Sequence, residues 1–522
     1  MRTTAGGASL LAVEAYLAGR YDECVRLWMR AFQEHAAAAE VEDAAVCAHW
    51  LAFVAVNRGD LAVASSWVDR GLELLGDRDC PERGYLVGLR GIGAMFSGDT
   101  DRAATLIAEA GQAAIRFDDL DLTVLSRLGQ GHLLIQQGRT AEGIQLLDSL
   151  LAPLMTGGPS AAVAGLAYCA VIGTCSDRHD IARAQQWTAA LTDFVEARPD
   201  LVPYSGTCLV HRAELLQLHG AWPEAMEAAA AARARFDLSD DDRLAGMADY
   251  AAAEVDRLRG DLDQAEDGYR EASRRGRDPQ PGLALLRLAQ GRLDDAAAAV
   301  RRLVADPDDA RGRPMVLAAH VAVMLEVGDV DAARASCQAL EQVAEQSDVP
   351  FVRATAQVCH SAMLLRDGKP GPALAASRRS LRDWLDLDAP YEAARAREQA
   401  GLALRALGDE DSATLEIEAA RATYRALGAR TDLARLGDGP DAAVPAADGL
   451  ARIPLSAREV EVLRLVATGA TNRMIATKLV LSEKTVARHL SNVFTKIDVP
   501  SRSAATAYAY EHGLVLAPAA DG

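Results

Sequence analysis

The sequence predicts an all-α protein, an α-solenoid of helical hairpins followed by a small four-helix domain. Three observations lead there. A signature of Gly, a polar residue, three variable residues and a small residue recurs along most of the chain. Alanine is abundant while aromatic residues make up only 5%, which suits closely packed helices better than sheets rich in β-branched and aromatic side chains. The repeats end near residue 436, ahead of a short basic segment. At 522 residues the chain is also longer than one hydrophobic core usually serves.

The repeat signature reads GRYDEC from Gly19, GDLAVA from Gly59, GDTDRA from Gly98 and GRTAEG from Gly138. HDIARA from His179 fits with the glycine replaced. It continues from Gly220, Gly260, Gly291, Gly328, Gly368 and Gly408. The spacings are 40, 39, 40, 41, 41, 40, 31, 37, 40 and 40 residues. Each glycine follows an Ala/Leu-rich helical pattern, where a left-handed cap carries no Cβ penalty. The next residue is expected to be solvated in the turn. The small residue five positions on begins a second helix and lets it approach the first. Such a hairpin buries its apolar face only against neighbours, so the units stack. The signatures resemble tetratricopeptide repeats over roughly Gly19 to Leu427, with a period longer than the usual ~34 residues. Helices about a turn longer account for the difference.

The segment GDGPDAAVPAADG (437–449) lacks apolar periodicity and reads as a flexible linker. The expected division is therefore a repeat sensor or scaffold over 1–436, a linker over 437–450 and a C-terminal domain over 451–517.

Charge divides the same way. From Leu450 onward there are nine Lys and Arg against six Asp and Glu, a net of +3, which leaves −22 for the rest of a chain at −19. Three of the four lysines, Lys478, Lys484 and Lys496, lie in that tail. A basic tail on an acidic body fits a nucleic-acid reader carried by a non-binding scaffold.

In the tail, Ser456 with Glu459 forms a capping box ahead of a first helix whose inward face is Val460, Leu463 and Val466. A second helix starts near Thr471 and turns Ile475, Ala476 and Leu479 inward. Ser482 caps a third, in which Val486, Leu490, Val493 and Ile497 share one face. Pro500 breaks it, and Ser501 to Glu511 supply a fourth. Two short helices about a tight turn, the second with a polar outer face, make a helix-turn-helix. Lys484, Thr485, Arg488, His489, Ser491 and Asn492 are the candidate groove residues, because Arg reads guanine and Asn reads adenine bidentately. Thr471, Asn472, Arg473 and Ser482, at helix N-termini, are the candidate phosphate contacts, with Lys496 at a helix end.

This stretch closely resembles the LuxR/GerE family of DNA-binding domains, found in quorum regulators, response regulators and large MalT-like activators. The resemblance rests on Leu455-Ser456, Arg458-Glu459, Glu461-Val462-Leu463, Gly469, Asn472, Ile475-Ala476, Leu479, Ser482, Thr485-Val486, His489, Asn492, Lys496, Val499 and Arg502. It implies a four-helix domain that binds two-fold related half-sites of double-stranded DNA as a homodimer, with dimer contacts around Ala504, Ala505 and Tyr508. Met474 stands where the family usually has an acidic residue, and Ala487 where it often has a lysine against DNA.

The resulting expectation is a cytoplasmic, dimeric transcription regulator that meets RNA polymerase at promoters and senses a small molecule or partner protein through its repeats. The alternative is a repeat scaffold for protein–protein assembly with a degenerate DNA domain. The sequence offers no ATP-binding Gly-Lys-Ser/Thr loop, no strand–helix alternation of a receiver domain and no catalytic signature. No enzyme activity, cofactor, metal or membrane partner is therefore expected. Cys47-Ala-His49 and Cys359-His360 are read as packing or surface residues, the six tryptophans as hairpin packing, and the eight cysteines as free thiols.

Overall fold

The computed structural model describes residues 7–198, 200–239, 242–305, 313–437, 455, 457–467, 470–479, 483–497, 499 and 502–511. All its regular elements are α-helices, from Gly7–Leu17 to Arg502–Glu511. The helices up to Leu436 come as hairpins, packed on their chain neighbours from Gly7–Leu17 to Thr140–Asp148 and from Leu262–Arg274 to Arg430–Leu436, and the last four form a small bundle. Among the described residues, no helix is long and apolar enough to cross a membrane.

The 40-residue period has a simple origin. Pro350–Arg366, Pro370–Asp386 and Pro390–Ala406 are each 17 residues long, joined by three-residue turns. Each begins with proline, whose fixed φ and missing N–H suit the first helical position. The short 31-residue interval falls where Leu262–Arg274 is followed by the eight-residue helix Gly282–Ala289.

The turn chemistry follows the signature. All ten signature glycines have positive φ, and His179 takes the same conformation at φ 58°. At the second turn, Gly59 N donates to Val56 O and Asp60 N to Ala55 O, both at 2.9 Å, the paired bonds of a Schellman cap. The residue after the glycine is not merely solvated, as the sequence reading had it. Asp60, Asp99, Asp329 and Asp409 each accept a bond from the backbone N–H three residues on, at 3.1–3.2 Å. Glycine thus ends one helix and aspartate starts the next. The small residue five positions after the glycine is buried in all eleven hairpins, from Cys24 to Ala413. At Gly143 a Cβ would lie 2.6 Å from Gly131 O, which measures how closely the two helices approach.

The chain forms two compact units. The first comprises residues 1–173, 194–208 and 231–245. Its core holds the stacked Trp28–Trp50 pair, 5.4 Å between centroids, and Tyr16 hydroxyl-bonded to Tyr204 at 2.9 Å. Its first turns are held from afar in sequence: Ser239 Oγ donates to Gly19 O at 3.1 Å, and Arg243 to Arg58 O at 2.7 Å. His49 belongs to this core, and burial pushes its pKa down to about 3. The second unit comprises 174–193, 209–230 and 246–522. One of its hydrophobic clusters runs from Ala284 to Ala396 and includes Trp384 edge-on to Phe351 at 5.0 Å. Trp28, Trp50, Trp187, Trp222 and Trp384 are fully buried, and Trp67 packs against Phe32. The eight cysteines are unpaired.

Candidate nucleic-acid interface

The C-terminal bundle consists of helices Ala457–Ala467, Asn472–Leu479, Glu483–Lys496 and Arg502–Glu511. The first helix packs in two directions. Val462 and Val466 join Ile475, Ala476, Leu479, Val486 and Leu490 in one cluster. Leu463 and Ala467 join Val493, Ile497, Ala505 and Ala509 in another. Its buried face is therefore wider than the expected three residues, and Val462 is more deeply buried than Val460. Ser456 and the linker 438–450 lie outside the described residues, so the proposed capping box is not visible.

The third helix is amphipathic in the expected sense. Val486, Leu490, Val493 and Ile497 are buried, while Ala487, Arg488, Ser491 and Asn492 are exposed on the opposite side. Thr485 and His489 flank this face and are half-buried. Ser482 and the Lys484 side chain lie outside the described residues. Among the described residues, Arg488 and Asn492 have no ion-pair or side-chain hydrogen-bond partner. A free guanidinium and a free carboxamide one turn apart on one face can both reach base edges in a major groove.

The second helix begins where the sequence places it. Thr471 Oγ1 accepts from Met474 N at 3.3 Å, and Arg473, Met474, Thr477 and Lys478 are exposed along it. Asn472 is engaged within the domain, since its Oδ1 accepts from Arg502 Nη1 at 2.8 Å. Arg502 also donates to Ala470 O, bracing the start of the second helix against the fourth.

Two further residues take places that their expected roles did not foresee. Lys496 Nζ donates to Glu459 Oε2 at 2.7 Å, and the Glu459 side chain is only 4% exposed. The lysine thus neutralises a buried carboxylate across the bundle. Ala505 is fully buried in the domain's own core, while Ala504 and Tyr508 are partly exposed and Tyr508 packs on the edge of that core. No pattern in the sequence paired Lys496 with Glu459 or Arg502 with Asn472, because each pair spans 30 or more residues.

The model of the family described as bacterial regulatory proteins, luxR family, matches residues 453–509. Residues 453–509 are a LuxR-family domain. Its similarity extends to the transcriptional regulatory protein LiaR of Bacillus subtilis, 43% identical over 61 residues, 12% of this chain and 29% of that protein. The response regulator protein VraR of Staphylococcus aureus is 41% identical over the same length and shares. The chain therefore spans less than a third of the length of these curated relatives. The helical part aligns with the crystal structure of the APC/C hetero-tetramer Cut9-Hcn1 (82% of this chain, 99% of that one, 16% identity, TM-score 0.36) and of yeast Tom70 (82% and 93%, 14% identity, TM-score 0.33).

Proposed function

We propose that this protein is a DNA-binding transcription regulator whose LuxR-family domain places helix Glu483–Lys496 in the major groove, and whose hairpin repeats receive the controlling ligand or partner protein. The observation that carries this reading is the exposed face of Ala487, Arg488, Ser491 and Asn492, backed by a helix side that is fully engaged in the core. A rigid helix with an unpartnered guanidinium is what direct readout requires. Thr485, His489 and Lys484 border that face by position. Thr471, Arg473 and Ser482 supply phosphate contacts at helix starts, while Asn472 and Lys496 act chiefly inside the domain. Ala504 and Tyr508 offer the surface for pairing on two-fold sites. RNA polymerase is the expected partner at the promoter, the cytoplasm the expected compartment, and no catalytic activity is assigned. The chain divides for this purpose into repeats over 1–436, a tether over 437–450 and the reader over 451–517.

The test is selection of random DNA fragments by the full-length chain. One enriched two-fold site is expected. Arg488→Ala should then lose about 1–3 kcal/mol of discrimination at one base position. Equal affinity of the unaltered protein for selected and random DNA would overturn the proposal and leave the repeats as an assembly scaffold.

A further inference from the structure

We propose that Cys337, Glu341 and His360 form a binding site for a divalent cation of the zinc class, set between two consecutive helical hairpins. Cys337 and Glu341 are one turn apart on helix Val330–Glu345, so their side chains share a face. His360 comes from the next helix, Pro350–Arg366. The thiol sulfur, a carboxylate oxygen and an imidazole nitrogen all lie within 4.8 Å of one another.

The spacing suits tetrahedral coordination. Metal–sulfur and metal–oxygen bonds of about 2.3 and 2.1 Å at a tetrahedral angle put sulfur and oxygen about 3.6 Å apart. Cys337 Sγ lies 3.6 Å from Glu341 Oε1. His360 Nδ1 contacts the same oxygen, so a cation would take the place of this contact, with the imidazole turned away from the carboxylate to about the nitrogen–oxygen separation of two tetrahedral ligands. One sulfur, one nitrogen and one oxygen donor favour borderline cations such as Zn2+ or Co2+ over Mg2+ or Ca2+, which prefer all-oxygen shells. Cys337 is buried, whereas the Glu341 and His360 side chains are 30% and 37% exposed. The cation thus has an entry path, and a water can complete the fourth position.

The electrostatic surroundings do not oppose a cation. Arg334, the cation that acts on the Cys337 thiol, pairs bidentately with Asp367 at 2.9 and 3.0 Å and is thereby balanced. Bound metal would link the second helix of one hairpin to the first helix of the next, and so stiffen that junction.

Co2+ titration of the tag-free full-length chain tests the site. A sulfur-to-cobalt charge-transfer band with tetrahedral visible bands is expected, saturating at a single equivalent. The band should vanish in Cys337→Ser. His360→Gln, a half-exposed change that leaves the core intact, should weaken binding by roughly tenfold or more. Circular dichroism checks that each variant is folded. No charge-transfer band in the unaltered chain, a band that persists in Cys337→Ser, or unchanged affinity in folded His360→Gln would each overturn the proposal. The other such cluster among the described residues, His35, Glu40 and Asp43, has no thiol and cannot produce such a band.

Discussion

Replacing Lys496 with glutamine separates two roles that a helix-terminal lysine can have. If the lysine holds a DNA phosphate, its loss lowers the salt dependence of binding by about 0.9 in slope and leaves the free domain unaffected. The structure assigns it instead to Glu459, at 2.7 Å, with the carboxylate buried and the lysine side chain 44% exposed. A hydrogen bond to a charged group contributes about 1.5–3 kcal/mol. Because Lys496 is half in water, the lower end applies, and about 1.5 kcal/mol corresponds to roughly a tenfold change in a local opening constant. Hydrogen exchange of the helix Glu483–Lys496 amides in the full-length chain reads that constant. Lys496→Gln should speed it about tenfold. Glu459→Gln with Lys496→Gln should be less than additive, since either change alone already breaks the ammonium–carboxylate pair. Unchanged exchange with a reduced salt slope would refute the pairing and return Lys496 to the phosphate contacts.

Other consequences follow from the repeats. Hydrogen bonds from Arg287 and then Gln290 lower the Glu266 pKa from its ordinary 4.5 to about 2. A depressed carboxylate contributes stability that is complete above pH 4.5 and lost as pH falls toward 2, so Glu266→Gln should flatten the acid limb of the unfolding curve in that window. Gly328→Ala and Gly143→Ala should destabilise for different reasons. Gly328 sits at φ +86° with open space around it, so only backbone strain of about 1–2 kcal/mol is incurred. Gly143 would drive a methyl against Gly131 O and Ile135 Cγ1, an overpacking cost of about 1–3 kcal/mol; a less-than-additive loss on combining Gly143→Ala with Ile135→Ala, against an additive one for Gly328→Ala with Ile135→Ala, would confirm the difference in a urea titration. Trp384→Ala should cost about 3–5 kcal/mol, because the ring is fully buried against Phe351, and an unchanged urea midpoint would contradict its place in the core.

The hairpin turns were legible because each rests on local chemistry. A glycine that must take positive φ, and a small residue that must admit a neighbouring helix, leave their mark within six residues. The same holds for the third helix of the LuxR-family domain, whose buried and exposed faces follow from helical spacing alone. What escaped was pairing across distance. Lys496 reads as a helix-end cation until Glu459 is brought beside it from 37 residues away. Ala505 reads as a surface residue until the first helix covers it. Cys359-His360 reads as an isolated dipeptide, because the residues that complete the cluster lie on the preceding helix and the donor among the cysteines is Cys337. The capping aspartates differ more narrowly: the signature contains them and places them in solvent, whereas Asp after a helix-ending glycine is a strong start for the next helix.

The end of the repeats shows why such distant pairs matter to the proposed regulator. Helix Arg430–Leu436 is short and buries no residue fully, though Leu433 and Leu436 pack on the core beside Tyr424. Ion pairs and hydrogen bonds add to that packing. Arg430 pairs with Asp261, 169 residues earlier; Asp432 accepts from Tyr391 at 3.1 Å; Arg435 grips the buried Glu398, which also accepts from Tyr424 at 3.2 Å. Asp261 belongs to a hairpin turn and Glu398 to the interior of another hairpin. The point from which the chain leaves the repeats toward the LuxR-family domain is thus set by two hairpins at once. Under the proposed function, a ligand that shifted either hairpin would act on that point through charged contacts, a physical route for control that neither the repeats nor the linker composition would supply alone.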